Sequence, residues 1–392
     1  MNKRIIKDGI SWLGAIDWER RLFDALIPLP DGTSYNAYLV EGTEKIALLD
    51  TVEPMKKDVL LAQLQDVPKI DYIVIHHVEQ DHSGTLPDVL EMYPDAVVLT
   101  NKKAQAMLVD HMPVDPARIR LVEDNETVSL GGRTLQFMHM PWVHWPETMV
   151  TWLAEDKILF SCDFMGSHVA TSDLFVKDKG VVFEAAKRYY AEIMMPFRKL
   201  ITNHLKRLDE LDIELIAPSH GPIYDEPEWI MNAYKQWTDD VPKNEVVIPY
   251  ISMHGSTQRM VEYLVGSLAA RNVRVHPFDL AVTDIGKLAT ALVDAATIVI
   301  GTPTVHAGPH PNVFYATHLA NALRPKLRFA SVIGSYGWGT QAVERIASLI
   351  PNLKVELLNP VMIKGIPTKN DYQALDNLAQ AIADKHKTFL KD

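Results

Sequence analysis

Short apolar runs separated by polar segments cover the first 240 residues of the chain. Runs of this length, rich in Ile, Val and Leu and bounded by polar residues, predict buried strands. They are residues 45–50 (KIALLD), 70–77 (IDYIVIHH), 96–100 (AVVLT), 134–140 (TLQFMHM), 157–163 (KILFSCD) and 213–220 (IELIAPSH). Because loops and helical segments separate these runs, the pattern predicts a fold of mixed α/β character.

The rhythm changes after the polar, proline-containing segment 238–245 (TDDVPKNE), which is typical of a linker. Helical patterns, such as residues 257–272, now follow each apolar run. The expected strands are residues 245–252, 273–280, 295–304, 328–337 and 354–363. Regular strand–helix alternation over about 150 residues predicts a doubly wound parallel sheet. We therefore expect two domains, residues 1–243 and 244–392.

Composition excludes several classes of protein. The net charge of −11 disfavours non-specific nucleic-acid binding, which needs a basic surface. No apolar run approaches the roughly 18 residues of a membrane span, and the N-terminal residues resemble no signal peptide, so we expect a cytoplasmic protein. The single cysteine, Cys162, allows no internal disulfide and no CxxC site. Any metal would therefore be bound mainly through the nitrogen and oxygen atoms of other side chains, and the chain has 15 histidines.

A dense group of possible metal ligands directly follows the apolar run 70–77. His77, Glu79, Asp81 and His82 lie within six residues, in the segment HVEQDHSG. A strand that opens into a loop is a place where side chains can converge on a site. The alternative is a polar loop that caps the next helix, with Asp81 or Ser83 as its N-cap residue.

Three other predicted strands also lead into possible ligands. His144 follows the strand at 134–140, Asp163 ends the strand at 157–163, and His220 ends the strand at 213–220. With the four residues of the dense group they make seven ligands, which is more than one metal needs. Two metals bridged by a carboxylate, about 3.5–4 Å apart, fit this number.

The motif spacing resembles a known fold. HxxxDH, followed by His, Asp and His at later strand ends, is similar to the metallo-β-lactamase fold, whose hydrolases carry HxHxDH. Here the second His is Glu79, as in the flavodiiron proteins of the same fold, and its hard oxygen shifts the preference from zinc towards iron. Further segments that resemble that family are GAIDW (14–18), YNAYLV (35–40), HWPE (144–147), YYAEIMMPF (189–197) and APSHG (217–221).

The resemblance covers the whole chain and implies its architecture. A metallo-β-lactamase-like αββα sandwich would be followed by a flavodoxin-like parallel sheet of strand order 2-1-3-4-5. It also implies the roles of the seven ligands. One iron would be held by His77, Glu79 and His144, the other by Asp81, His82 and His220, and Asp163 would bridge them.

Two positions depart from the family pattern around this site. Asp24 stands where a His usually faces the substrate pocket, and Phe164-Met165-Gly166 replaces the usual Ala-Phe-Gly after the bridging Asp. Both changes bear on substrate preference. Among the neighbours of the ligands, we interpret Cys162 as a small buried hydrophobic residue, and we expect His76 to point to the opposite face of its strand.

A second constellation lies at the start of the second domain. The first strand there runs into Ser252, Met253, His254, Gly255, Ser256 and Thr257, and a helix follows. Hydroxyls and free N–H groups at a helix N-terminus bind anions. The sequence contains neither GxxxxGK[ST] nor GxGxxG, so a phosphate monoester is the better interpretation. The alternative is an ordinary Ser/Thr helix cap.

Two further loops favour a flat aromatic ligand. The third strand ends in Gly301-Thr302-Pro303-Thr304, and the fourth runs into Ser335-Tyr336-Gly337-Trp338-Gly339. Ligands of open α/β sheets bind outside the carboxyl ends of the strands. The arrangement resembles flavodoxin and implies FMN, with Trp338 either stacked on the flavin ring or simply packed. The commonest flavodiiron form of the phosphate loop has Trp at the position of His254.

The resemblance implies a flavodiiron oxidoreductase that reduces dioxygen to water and/or nitric oxide to nitrous oxide, with electrons supplied through FMN. A separate donor is needed, either a rubredoxin-like protein or a reduced deazaflavin coenzyme. A head-to-tail homodimer is expected, and its pairing into a tetramer stays open. Two alternatives remain at this point: a dizinc hydrolase with an appended flavodoxin domain, and an electron carrier with an inactive metal site.

Overall fold

The computed structural model describes residues 2–390 of the protein. These residues form two compact units, one of residues 2–190 and 197–238, the other of residues 191–196 and 239–390. The domain limits expected from the sequence, 1–243 and 244–392, stay a prediction. Within residues 2–390, no helix is long and apolar enough to cross a membrane.

Two sheets and their surrounding helices form the first unit. The strands are β1 (Arg4–Lys7), β2 (Ile10–Asp17), β3 (Leu22–Phe23), β4 (Ile27–Pro28), β5 (Thr33–Glu41), β6 (Ile46–Leu49), β7 (Tyr72–Val74), β8 (Val97–Thr100), β9 (Ile119–Leu121), β10 (Thr127–Ser129), β11 (Thr134–His139), β12 (Met149–Leu153), β13 (Ile158–Cys162) and β14 (Leu215–Pro218). The sheets have the orders β1-β2-β5-β6-β7-β8-β9 and β10-β11-β12-β13-β14, and β3 and β4 pair as a separate hairpin.

The helices of this unit are α1 (Lys57–Leu64), α2 (Gln80–Ser83), α3 (Leu86–Met92), α4 (Lys102–His111), α5 (Lys179–Tyr189), α6 (Arg198–Leu208) and α7 (Pro227–Thr238). Because successive residues of a strand face opposite sides, each strand of the larger sheet contributes to two cores. Leu49 and Val74 pack with Phe137 and Phe160 of the smaller sheet. Residues of the other face, such as Ile73, pack against α1, α3 and α4.

Parallel pairing gathers polar strand ends at one edge of this sandwich. β13 and β14 are parallel neighbours, with Cys162 opposite Pro218, so that Asp163 and His220 follow at the same end. β6 and β7 are also parallel, with Leu49 opposite Val74. The loop that carries the dense ligand group of the sequence therefore starts from a strand end buried in the larger sheet.

A doubly wound parallel sheet forms the second unit. Its strands are β15 (Lys243–Tyr250), β16 (Arg274–Asp279), β17 (Ala295–Val305), β18 (Gly308–Pro309), β19 (Phe329–Tyr336), β20 (Glu356–Leu357) and β21 (Val361–Lys364), and its helices are α8 (Ser256–Ala269), α9 (Ile285–Leu292), α10 (Pro311–Leu323), α11 (Ala342–Leu349) and α12 (Lys369–Lys387). The order β16-β15-β17-β19-β20, with β21 also on β19, is the predicted 2-1-3-4-5 order.

Three sequence expectations need correction in detail. The apolar run 70–77 forms a strand only over Tyr72–Val74. The last predicted strand, 354–363, is two short strands, because Asn359 and Pro360 interrupt it, and proline has no N–H to donate to a sheet. The long antiparallel strands β2 and β5 at the N-terminus, and β12, are absent from the predicted set.

Candidate metal centre and flavin site

All seven predicted ligands lie at one end of the sandwich, in two groups. The first group is His77, Glu79 and His144 with Asp163, and the second is Asp81, His82 and His220, with the ligand atoms of each group within 4.8 Å of one another. His77, Asp81, His82, Asp163 and His220 are buried, whereas the Glu79 and His144 side chains are 13% and 17% exposed.

Asp163 lies between the two groups and presents one carboxylate oxygen to each. Its Oδ2 is 3.6 Å from Nε2 of both His77 and His144. Its Oδ1 is 3.0 Å from Nε2 of His82 and 3.3 Å from Nε2 of His220. This is the arrangement that a carboxylate bridging two metals requires.

Several atoms of the second group face one another without making hydrogen bonds. Both carboxylate oxygens of Asp81, Nε2 of His82 and Oδ1 of Asp163 are buried and have no hydrogen-bond partner among the described residues. A buried polar atom without a partner costs about 1–3 kcal/mol. His82 Nε2 and Asp163 Oδ1 are only 3.0 Å apart, yet they are not aligned as donor and acceptor. Such nitrogen and oxygen atoms, aimed at a common point, suit bound cations.

The charges in the site hold its groups in ionised forms. Burial lowers the pKa of His77, but hydrogen bonds with Glu147 and Glu79 outweigh burial and raise it well above its usual value. Burial likewise opposes protonation of His220, but Asp163 and Asp81 raise its pKa to about 10. For Asp163, the neighbouring histidines outweigh burial and lower the pKa.

The loops of the predicted flavin site meet at the carboxyl end of the second unit's sheet. Gly255, with a φ of +84°, precedes α8, and Ser252 Oγ accepts hydrogen bonds from the N–H groups of Gly255 and Gln258. Thr257 Oγ1 lies 3.5 Å from Ser335 Oγ, which joins this loop to the end of β19. The first N–H groups of a helix have no partner within the helix, so those of Ser256 and Thr257 can bind an anion.

The other two loops are also joined. The Thr304 hydroxyl donates a hydrogen bond to Thr340 Oγ1 at 2.9 Å, and Pro303 pairs with Ser335 in the sheet. Trp338 is 97% exposed, so its ring is not packed within the described residues. The predicted contacts Met253 and His254 are also exposed, Tyr336 is half-buried, and Gly337 and Gly339 flank Trp338. A flat ring has room to lie against Trp338.

Comparison with known proteins covers both units of the chain. Residues 33–221 match the model of the ODP family beta lactamase. The chain is 36% identical to a nitric oxide reductase of Moorella thermoacetica, over 96% of this chain and 97% of that protein. The structure of rubredoxin oxygen:oxidoreductase from Desulfovibrio gigas matches with a TM-score of 0.95 and 33% identity, covering both chains completely. The flavodiiron protein of Giardia intestinalis matches with a TM-score of 0.92 and 25% identity, over 99% of this chain and 98% of that one.

The chain belongs to the flavodiiron protein family. It is an oxidoreductase, with the metallo-β-lactamase-like domain and the parallel-sheet domain that its sequence predicts.

In this flavodiiron protein, Glu147 is a residue whose role the sequence did not reveal. Glu147 is 1% exposed, and its Oε1 lies 2.7 Å from His77 Nδ1 and accepts a hydrogen bond from Val78 N. Glu147 therefore fixes the ring of the predicted ligand His77 through its Nδ1 atom. Its only signal in the sequence is its place three residues after His144, in a segment that resembles the family.

Two neighbours of the ligands have defined surroundings. His76 does point away from the seven ligands. Its Nδ1 and Nε2 form hydrogen bonds of 2.7 Å each with Asp50 Oδ2 and Thr151 Oγ1. His168 lies beside His220, with ring centroids 4.9 Å apart, and its Nδ1 is 2.9 Å from Thr33 Oγ1. His76 and His168 therefore belong to the buried surroundings of the predicted metal ligands.

Asp24, the departure from the family pattern, lies close to Glu79, one of the partly exposed predicted ligands. Partial burial, followed by the charge of Glu79, raises the pKa of Asp24 to about 6. Asp24 and Ala25 both have positive φ angles, 49° and 52°, in the turn between β3 and β4. A carboxylate close to Glu79 thus stands where the family usually has an imidazole.

Proposed function

We propose that this flavodiiron protein reduces dioxygen to two waters and/or two nitric oxide molecules to nitrous oxide and water. The first reaction consumes four electrons and four protons, and the second consumes two of each. The observation that carries the proposal is Asp163, which offers one carboxylate oxygen to each of two three-residue groups. The full-length similarity to a nitric oxide reductase and to rubredoxin oxygen:oxidoreductase supports the same chemistry.

The metal centre is proposed as a pair of irons. His77, Glu79 and His144 would hold one iron, and Asp81, His82 and His220 the other, with Asp163 between them. When bound, the irons supply the redox chemistry at which the gases react. The chain's own contribution is to fix these side chains and exclude bulk water. Glu79 and His144, the partly exposed ligands, mark the side from which a small gas molecule would enter.

The flavin is proposed as FMN in the second domain. The loop Ser252–Thr257 would hold its phosphate at the N-terminus of α8, and the loops at Pro303–Thr304 and Ser335–Gly339 would hold its ring. The exposed Trp338 and the room beside the two glycines support this assignment. When bound, the flavin supplies electrons one or two at a time.

Electrons are proposed to come from a rubredoxin-like protein or a reduced deazaflavin coenzyme, because relatives are named for both kinds of donor. The loop SMHGST and the form HVExDHSG resemble the methanogen oxidases that use a reduced deazaflavin coenzyme, whereas GSYGWG resembles the rubredoxin-linked members. Both donor classes therefore stay in the proposal. The head-to-tail homodimer implied by the family and the cytoplasmic location expected from the sequence also stay predictions.

The test is anaerobic analysis followed by stopped-flow mixing. We expect about two irons and one FMN per chain, and rapid oxidation of the reduced protein by dioxygen, nitric oxide or both. The faster gas identifies the preferred substrate. His139→Ala, a change outside the ligand set, serves as the control for His144→Ala, which should lose iron.

Zinc in place of iron, with a flavin that reacts with neither gas, would contradict the proposal. That result would favour the dizinc hydrolase, which Glu79 and the oxidoreductase relatives disfavour. Metal-free protein that still binds FMN and takes up no iron would instead favour an electron carrier with an inactive metal site.

A further inference from the structure

The buried histidines of the metal centre differ in what their second ring nitrogen contacts. Nδ1 of His77 lies 2.7 Å from the Glu147 carboxylate. Nδ1 of His220 lies 2.7 Å from the main-chain carbonyl oxygen of Ser34. Both partners are strong acceptors. A metal-bound imidazole that donates its other N–H to such an acceptor becomes a better electron donor to the metal.

His82 is the exception. Its Nδ1 lies 3.8 Å from Cys162 Sγ, and among residues 2–390 this ring nitrogen has no other hydrogen-bond partner. The Asp50 carboxylate is nearby, with an oxygen within 4.8 Å of both atoms. However, Asp50 already accepts hydrogen bonds from His76, at its N–H (2.8 Å) and at its ring Nδ1 (2.7 Å). Of these two neighbours, the thiol is the one that makes the hydrogen bond with Nδ1 of His82, and sulfur is a weak acceptor.

The backbone fixes the thiol in this place. Cys162 ends β13 with a φ of +53°, after an irregularity in the pairing with β14, and its carbonyl accepts a hydrogen bond from Ser219 N. Along the strand, Phe160 packs in the core between the two sheets, and Cys162, two residues later, contacts His82. Ser161 lies between them in the chain.

We propose that Cys162 is a positioning residue whose weak hydrogen bond to His82 keeps the reduction potential of the iron held by His82 high. This inference rests on the proposed function. A stronger acceptor would increase the negative character of the imidazole, which stabilises ferric over ferrous iron and lowers the potential. Because His220 has a strong acceptor and His82 a weak one, the iron that these two residues would hold has one strong and one weak outer contact.

Two substitutions change the acceptor in opposite directions. Cys162→Asn introduces an amide oxygen, and asparagine tolerates the positive φ at this position better than most residues. Cys162→Ala removes the acceptor. Ser161→Ala is the matched control, because it deletes one buried atom from the same strand, and Ser161 Oγ makes no hydrogen bond within the described residues.

The measurement is the midpoint potential of the iron centre by anaerobic redox titration, with Mössbauer spectra of the fully reduced protein. We expect the potential to fall for Cys162→Asn and to rise for Cys162→Ala. One of the two ferrous doublets should move while the other stays, and Ser161→Ala should match the wild type. Because Cys162→Ala is the milder change, it keeps the test open if the asparagine variant fails to fold.

Unchanged potentials and spectra in the cysteine variants would overturn the inference, as would an equal shift in Ser161→Ala, which would indicate packing alone. The iron content of the wild-type protein is measured first. A wild type without two irons would overturn the proposed function itself. A normal wild type with insensitive variants would overturn only the role of Cys162.

Discussion

Oε1 of Glu147 lies 2.7 Å from Nδ1 of His77, and neither side chain is exposed to solvent. Glu147 comes from the loop before β12, whereas His77 follows β7 of the other sheet. The pair therefore ties the two halves of the sandwich together directly behind the proposed metal centre. A buried carboxylate on a metal-ligating histidine fixes both the tautomer and the orientation of the ring.

Glu147→Gln should weaken iron binding. The amide can still accept a hydrogen bond, but the charge that supports His77 is lost, so we expect about 10- to 100-fold lower iron affinity. Competition with a chelator of known affinity, read by iron content after gel filtration, measures the change. Glu155→Gln, on the exposed surface, is the matched control. Equal affinities for the two variants would show that Glu147 does not support the metal.

Asp163→Asn tests the bridge. An amide offers only one good ligand oxygen in place of two, so that it cannot serve both groups of side chains. We expect iron to fall from about two per chain to one or none, with loss of the magnetic coupling that a bridged ferric pair shows. Iron analysis and magnetic resonance of the oxidised protein measure both effects.

Asp173→Asn changes an exposed residue elsewhere in the first unit, and it controls for iron that is lost during purification. Two tightly coupled irons retained in Asp163→Asn would rule out the carboxylate as the bridge. The FMN content should be the same in both variants, because Asp163 lies in the first unit and the predicted flavin loops lie in the second.

Local patterns in the sequence were sufficient to predict the ligand cluster and a doubly wound parallel sheet, whereas the strand order of that sheet was implied by the family resemblance. Strand ends carry the ligands, and parallel neighbours such as β13 and β14 deliver their ends to one edge, so seven distant residues could be expected to meet. The roles of Glu147 and Cys162 could not be predicted, because they depend on which side chains face each other across two sheets. Antiparallel strands such as β2 were missed because their buried polar residues, including Ser11 and Asp17, break the apolar pattern.

Trp338→Ala should weaken FMN binding without destabilising the chain. Trp338 is 97% exposed, so its removal costs the folded protein little. Aromatic stacking contributes about 0.5–1.5 kcal/mol, which corresponds to roughly 2- to 12-fold weaker FMN binding. Flavin fluorescence titration of the deflavinated protein measures the affinity.

The control for Trp338→Ala is Tyr263→Ala, which truncates an aromatic residue outside the three loops, in tilted contact with the ring of Tyr372. It should leave FMN affinity unchanged. Unweakened binding in Trp338→Ala would assign Trp338 to packing or to contacts with another molecule rather than to the flavin.

We expect the unfolding free energy of the second unit to fall in mild acid because of His386. His386 is 1% exposed, and this burial lowers its pKa to about 4. Its Nδ1 lies 2.8 Å from Asn244 Oδ1, and its Nε2 lies 2.7 Å from Thr297 Oγ1. The unfolded chain, with the usual histidine pKa near 6.5, binds the proton first. The stability that the neutral ring confers is therefore fully present above pH 6.5 and is lost as the pH falls towards 4.

The matching variant is His386→Gln, which keeps hydrogen-bonding capacity but does not titrate. Between pH 7.5 and 5, the wild type should lose about 2 kcal/mol more unfolding free energy than the variant. Urea unfolding of FMN-loaded protein, followed by flavin release at several pH values, gives this difference directly. All other acid-sensitive groups are common to the two proteins, so they cancel in the comparison. Parallel pH dependences would mean that His386 accepts its proton in the folded state as readily as in the unfolded chain, and that burial does not hold it neutral.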